Sequence, residues 1–303
     1  MDEASEFDIT ENIAAFEAAV SAEHLDIPVP ELERVLVAID QSNQDRTTED
    51  MALAVARRHN TSLDVVYAYE GDTEAGAEAY LRQRVARLRE TGIDVNAFPR
   101  LPGKRSYDQI LAAQKSRDCN LILVDAPYLD DFEDLGTVSI GANLDMLLHR
   151  FKVPLLIVRE PEDQPNEEFR TILLPAVFSP QQNVNAAAWA FRLIHEAGTL
   201  RIFLIADVGS MTEAYVDLND EAMLALKEKE QAGFIAAIQK RAAQMGIRCQ
   251  VKARTGEPVT ALREVINEGD CLTTVGHPGI CDIGAHQRLL ALIRESINPV
   301  LVV

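Results

Sequence analysis

The chain has 303 residues, 47% apolar and 25% charged, at a formal net charge of −19. The length predicts two cores, the composition excludes a disordered or membrane-embedded chain, and the charge excludes a nucleic-acid binder, because phosphate contacts need clustered Lys and Arg. Four cysteines with no C-x-x-C pair are too sparse for a disulfide framework, and the acidic opening "MDEASEFDITEN" is unlike a signal peptide, so reduced thiols and a cytoplasmic location are expected.

Residues 1–33 hold ten Asp or Glu and no Lys or Arg. Ile13, Phe16 and Val20 fall on one helical face, Asp8 and Glu11 suit a capped start, and Pro28 and Pro30 end the run. One amphipathic helix is expected in this acidic extension. It either packs on its own domain or docks a partner or a second copy of the chain.

From 34 to 160 the pattern alternates. "RVLVAID" reads as a strand, "TEDMALAVARRHN" as a helix, "SLDVVYAY" as a strand and "AEAYLRQRVARLRETG" as a helix stopped by Gly92. "IDVNAF", "NLILVDAP" and "VPLLIVRE" are further strands, with helices "SYDQILAAQKSR" and "ANLDMLLHRF" between them. Alternation of this kind predicts a parallel sheet with helices on both faces. The Pro-rich, acidic stretch 161–168 is read as a linker. Residues 169–303 then repeat the plan: "TILLPAV" answers "RVLVAID", "RIFLIADV" answers "LDVVYAY", "GIRCQV" answers "GIDVNA", and "NPVLVV" answers "VPLLIV". An internal duplication is the simplest cause. In such layers ligands sit in the loops at the carboxyl ends of the strands, so function is sought after strands one and four of each half.

Val35 to Asp40 fit the pattern V-L-V-x-x-D, and Pro299 to Val303 read P-V-L-V-V. With these ends the chain resembles the universal stress protein family in its tandem form, from Arg34 to Val303. The resemblance implies two Rossmann-like, adenine nucleotide alpha-hydrolase-like domains, each a five-stranded parallel sheet, packed as an internal pseudo-dimer through their final strands. It also implies a phosphate loop, G-x2-G-x9-G-[ST], after the fourth strand. Backbone N–H groups beside glycines and the N-terminus of the following helix hold phosphate in such loops. Gly276 and Gly279 match the first two glycines in the second half, whereas the helix start, counted back from Pro299, falls at His286-Gln287 without glycine or hydroxyl. In the first half Asp125 and Tyr128 replace the first two glycines, the acidic run 129–134 follows, and Gly141-Ala142 keeps the last glycine alone. The family's Asp at the end of the first strand, which contacts adenosine, is Asp40 in the first half and Val177 in the second; Ala68 and Ala206 match its small residue beside adenine.

Each half thus keeps a different part of a nucleotide site. The expected function is a non-catalytic stress-response protein acting as a sensor or interaction module with degenerate nucleotide loops. An adenine-nucleotide-binding signalling protein with one working site and a slow ATPase are the alternatives. No cofactor is demanded, and adenine nucleotide is the one the resemblance implies. Besides pairing of the two domains, a homodimer is open and a protein partner is not identified. Among other residues, His277, Cys281, Asp282 and His286 are of metal-ligating types but are read as a polar loop without metal. Cys119, Cys271 and Trp189 are read as core, and Arg57-Arg58 and "RQRVARLRE" as solvated helix faces.

Overall fold

The computed structural model describes residues 25–42, 45–68, 73–126, 140–159, 168–177, 180–206, 219–266, 272–278, 283–296 and 298–303. The helix expected around Ile13, Phe16 and Val20 lies outside them. Residues 25–33 run without helix or strand, yet Ile27 and Leu32 are buried. That part of the acidic extension packs on the body of the protein.

The first half runs β1 (Arg34–Ile39), α1 (Asp45–His59), β2 (Ser62–Tyr67), α2 (Glu74–Arg89), β3 (Val95–Phe98), α3 (Ser106–Arg117), β4 (Leu121–Asp125), α4 (Ala142–Arg150) and β5 (Leu155–Val158). The second repeats it with β6 (Thr171–Ala176), α5 (Pro180–Leu193), β7 (Thr199–Ala206), α6 (Asp220–Met245), β8 (Arg248–Thr255), α7 (Pro258–Ile266), β9 (Leu272–Val275), α8 (Ile283–Glu295) and β10 (Val300–Val302). All ten strands form one sheet in the order β3-β2-β1-β4-β5-β10-β9-β6-β7-β8. Within each half every pairing is parallel. The halves meet where β5 and β10 pair antiparallel, with Leu156 opposite Leu301.

Helices cover both sheet faces, so the strands are apolar on both sides: Val35 to Ile39 are all buried, as are Leu155 to Val158 and Val300 to Val302. The expectation of two cores holds in number but not in arrangement. One core joins the α1, α2, α5 and α6 side of both halves, and the other the α3, α4, α7 and α8 side. Each core is continuous across the seam because the sheet is. Cys119 and Trp189 are buried within this framework, as expected, while Cys271 lies outside the described residues. No helix among the described residues is long and apolar enough to cross a membrane.

Two of the expected solvated basic faces are otherwise engaged. Arg57 is exposed, but Arg58 reaches across the halves and donates to the carbonyls of Leu193, at 2.7 Å, and Ile194, closing the C-terminus of α5. In the run 82–90, Arg84 grips the fully buried Glu49 with two bonds of 2.6 and 2.7 Å, and Arg87 joins Glu49 to Asp50. The reason is the packing of α2 along α1. A buried carboxylate on one helix is tolerable only with a charged partner on the other.

Candidate functional site

A cavity of about 550 Å³ opens at the carboxyl ends of β1 and β4, beside the N-terminus of α4. This is the switch point between the strands running outward to β3 and those running inward to β5, where sheets of this order leave a crevice. Asp40, Ala68 and Gly141 all line it, so three of the sequence-predicted residues converge. Asp40 follows β1 directly, Ala68 follows β2 with its N–H on the Ile39 carbonyl at 2.7 Å, and Gly141 precedes α4 at φ 99°. That positive φ is the backbone reason for glycine at 141. Apolar walls come from Ile110, Val124 and Leu144.

Asp125 also lines the cavity, and it is tied to the β1–α1 turn. The Ser42 hydroxyl donates to its carboxylate at 2.6 Å, while the Ser42 N–H donates to Asp40 at 2.9 Å. Gln41 takes φ 68°, which turns its N–H and that of Asp40 onto the carboxylate of buried Asp45, each at 3.0 Å. Tyr80 adds a hydroxyl donor to Asp45 at 2.6 Å. Carboxylate oxygens of Asp40, Asp45 and Asp125 thus lie within 4.8 Å of one another. Burial, and then the charge of Asp40, push the Asp125 carboxyl up to about 7. Burial also raises Asp45 despite its donors. Oxygen ligands of this kind suit hard cations such as magnesium or calcium, yet each carboxylate already serves the turn. Sequence reasoning missed Ser42, Asp45 and Tyr80. The signal was present only for Asp45, as the acid at the start of a helix.

In the second half the equivalent positions are fixed by backbone bonds. Ala126 N–H bonds the Val158 carbonyl at 3.1 Å and His277 N–H bonds that of Val303 at 2.7 Å, so Gly276 stands where Asp125 does. Gly276 is buried, and a Cβ there would lie 2.6 Å from the Gln182 carbonyl oxygen of α5. Close helix packing therefore gives this glycine a reason of its own. Val177 follows β6 as Asp40 follows β1, and Ala206 closes β7, fully buried. Gly279, Tyr128 and residues 129–134 lie outside the described residues. One expectation is corrected. Helix α8 starts at Ile283, not at His286-Gln287. It and α4 stop at the same distance from their following prolines, so the extra turn of α8 is at its N-terminus. The third glycine of the family spacing would fall at Leu289, inside that helix.

A family model described as the universal stress protein family matches residues 31–159 and again residues 168–303. The chain belongs to the universal stress protein family. In solved structures, this universal stress protein is similar to one from Archaeoglobus fulgidus DSM 4304, with TM-score 0.64, 17% identity, and coverage of 90% of this chain and 98% of that one. A functionally unknown protein, PA1789 from Pseudomonas aeruginosa PAO1, gives TM-score 0.62 at 16% identity, covering 90% of this chain and 92% of that one. At such identities the likeness establishes the shared tandem fold. No curated protein matches the chain.

Proposed function

We propose that this universal stress protein is a non-catalytic stress-response sensor or interaction module whose nucleotide loops are degenerate. The observation that carries the reading is Asp125. A phosphate held as the family loop holds it would meet a carboxylate where glycine leaves the backbone open to its approach, with Asp40 and Asp45 behind. Above pH 7, where Asp125 is ionised, two unit charges about 5 Å apart repel by roughly 3 kcal/mol at an effective dielectric of 20, comparable to the contacts a phosphate gains. In the second half, Val177 offers no acceptor to a ribose or base, and the residues between β9 and α8 are too few for the family spacing.

A second reading, adenine-nucleotide signalling through one working site, is favoured by the cavity itself. Its volume is that of a small-molecule pocket, and Asp40, Ala68 and Gly141 line it together. Hydroxyl donors of a nucleoside suit its carboxylates better than a phosphate chain does. A slow ATPase would first need that chain held in line, so the same residues weigh against it.

Both readings are tested by denaturing freshly purified protein, analysing the supernatant for adenine nucleotides, and titrating ATP and adenosine by calorimetry. No stoichiometric nucleotide and no heat with ATP are expected. Stoichiometric nucleotide, lost on Asp40→Ala or on Gly276→Asp, would replace the first reading by the second and name the half that binds.

A further inference from the structure

Residues 25–33 fasten the acidic extension to both halves. The Asn120 side chain, just before β4, donates to the Glu31 carbonyl at 2.7 Å and accepts from the N–H groups of Glu33, at 3.2 Å, and Arg34, at 3.3 Å. The Thr61 hydroxyl donates to the Glu33 carbonyl, and Arg192, in the last turn of α5, donates to that of Pro30. Ile27 and Leu32 are buried in the core on the α5 and α6 side, and Leu25 and Val29 pack against it. Residues 1–24 therefore join a segment that is anchored at the end of α5.

A basic strip begins beside that anchor. β8 starts at Arg248, whose N–H donates at 3.1 Å to the carbonyl of Gly198, in the connection that leaves α5. Along β8, Cys249, Val251 and Ala253 pack on the α6 side, so Arg248, Gln250, Lys252 and Arg254 point to the other face of the sheet. On that face α7 covers β7, its Ala261, Leu262 and Val265 sharing a core with Phe203 and Ile205, and the four β8 residues stay exposed. Arg201 of β7 stands beside Gln250 in the register and alternates with Phe203 and Ile205, so it belongs to the same face. β8 itself holds no acid, and Arg254 is paired with Glu264 of α7. Like charges set this close repel one another and attract an acidic partner.

We propose that residues 1–24 dock, within the same chain, on this basic face of β8. The segment holds seven Asp or Glu and no Lys or Arg, in a chain where acids outnumber bases 48 to 29. Its charge selects β8 over the surface of α6, which mixes Lys227, Lys229 and Lys240 with Glu221, Glu228 and Glu230 and offers no such contrast. The reach is sufficient. α5 packs on β6, and β8 stands two strands beyond, about 10 Å away. Arg248 to Arg254 span about 20 Å of strand, while twenty-four residues cover about 36 Å even at the short rise of a helix. From the end of α5 the path rounds the amino end of β8 at Arg248. Docking there covers the outer face of an edge strand with charge pairs and adds no further strand. The inference holds whether or not the cavity of the first half binds a nucleotide.

The test is carbodiimide crosslinking of the full chain at low salt, which joins a lysine amine to a carboxylate in direct contact, read by peptide mass spectrometry. Lys252 is expected to link to an acid of residues 1–24, and an Arg248→Lys variant supplies a second amine on the same face. The yield should fall at least fivefold in 500 mM NaCl, which screens charge pairs, and in Arg248→Glu/Arg254→Glu. Circular dichroism checks the fold of each variant, and Arg248→Gln/Arg254→Gln takes the place of the charge reversal if the latter unfolds. An equal mixture of ¹⁵N-labelled and unlabelled chains separates the sources, because a link within one chain joins peptides of one isotope. Absence of a link to either amine, or a yield that neither salt nor the charge variants change, overturns the proposal. So do links of mixed isotope, which place a second copy of the chain on this face.

Discussion

At the scale of the residue, Asp125 is the position where this chain departs from a phosphate-binding loop. Asp125→Gly removes the carboxylate and lets a phosphate approach the backbone N–H at 125, and ATP binding is expected to rise at least tenfold over wild type by calorimetry; no gain would show that Asp125 is not what excludes phosphate. The same carboxyl makes a pH prediction. Its folded value, about 7, is above the unfolded value near 3.8, so the folded state binds more protons between these limits and loses stability as pH rises through them. Asp125→Asn keeps the shape and removes the titration. Its stability advantage over wild type should grow between pH 4 and 7 and reach on the order of 2 kcal/mol at pH 8. A difference that does not vary across that window would sink the assignment.

At the scale of the element, the seam explains the final strands. β5 and β10 are short, apolar and wholly buried, and each would be an aggregating edge without the other. The outer edge shows the opposite solution. β8 alternates exposed Arg248, Gln250, Lys252 and Arg254 with half-buried Cys249, Val251 and Ala253, so its free edge carries charge that discourages another strand. Helix ends bind the halves further: Arg58 closes α5, and buried Arg159 donates to the carbonyls of Arg294, at 3.0 Å, and Ser296 at the end of α8. Guanidinium groups at helix C-termini satisfy orphan carbonyls and oppose the helix dipole. Arg58→Met or Arg159→Met should each cost about 2 kcal/mol in urea denaturation, since hydrogen bonds to charged groups contribute about 1.5–3 kcal/mol. A loss under ~0.5 kcal/mol would show that the clamps add nothing to the strand pairing.

At the scale of the whole molecule, a net charge of −19 sets the compact state against itself. Raising NaCl from 50 to 500 mM shortens the screening length severalfold and should raise Tm by several degrees; a Tm that falls or stays level would mean that the network of Glu49, Arg84, Arg87 and Asp50 matters more than the bulk repulsion. The sequence by itself determined much of this protein. Its apolar runs at strand length, the alternation with helices and the duplicated order specified two parallel five-stranded layers, because periodicity and turn residues are local properties of the chain. The family resemblance pointed to Asp40, Ala68 and Gly141, each beside an element that the pattern locates, and the structure lines one cavity with them. Only the tertiary structure decided the rest. The two cores divide by sheet face because β5 and β10 make one sheet of two. Gly276 packs against Gln182, Ser42 bridges to Asp125, and Arg58 leaves solvent for the end of α5, because each of these contacts joins segments far apart in sequence and depends on which helix faces which.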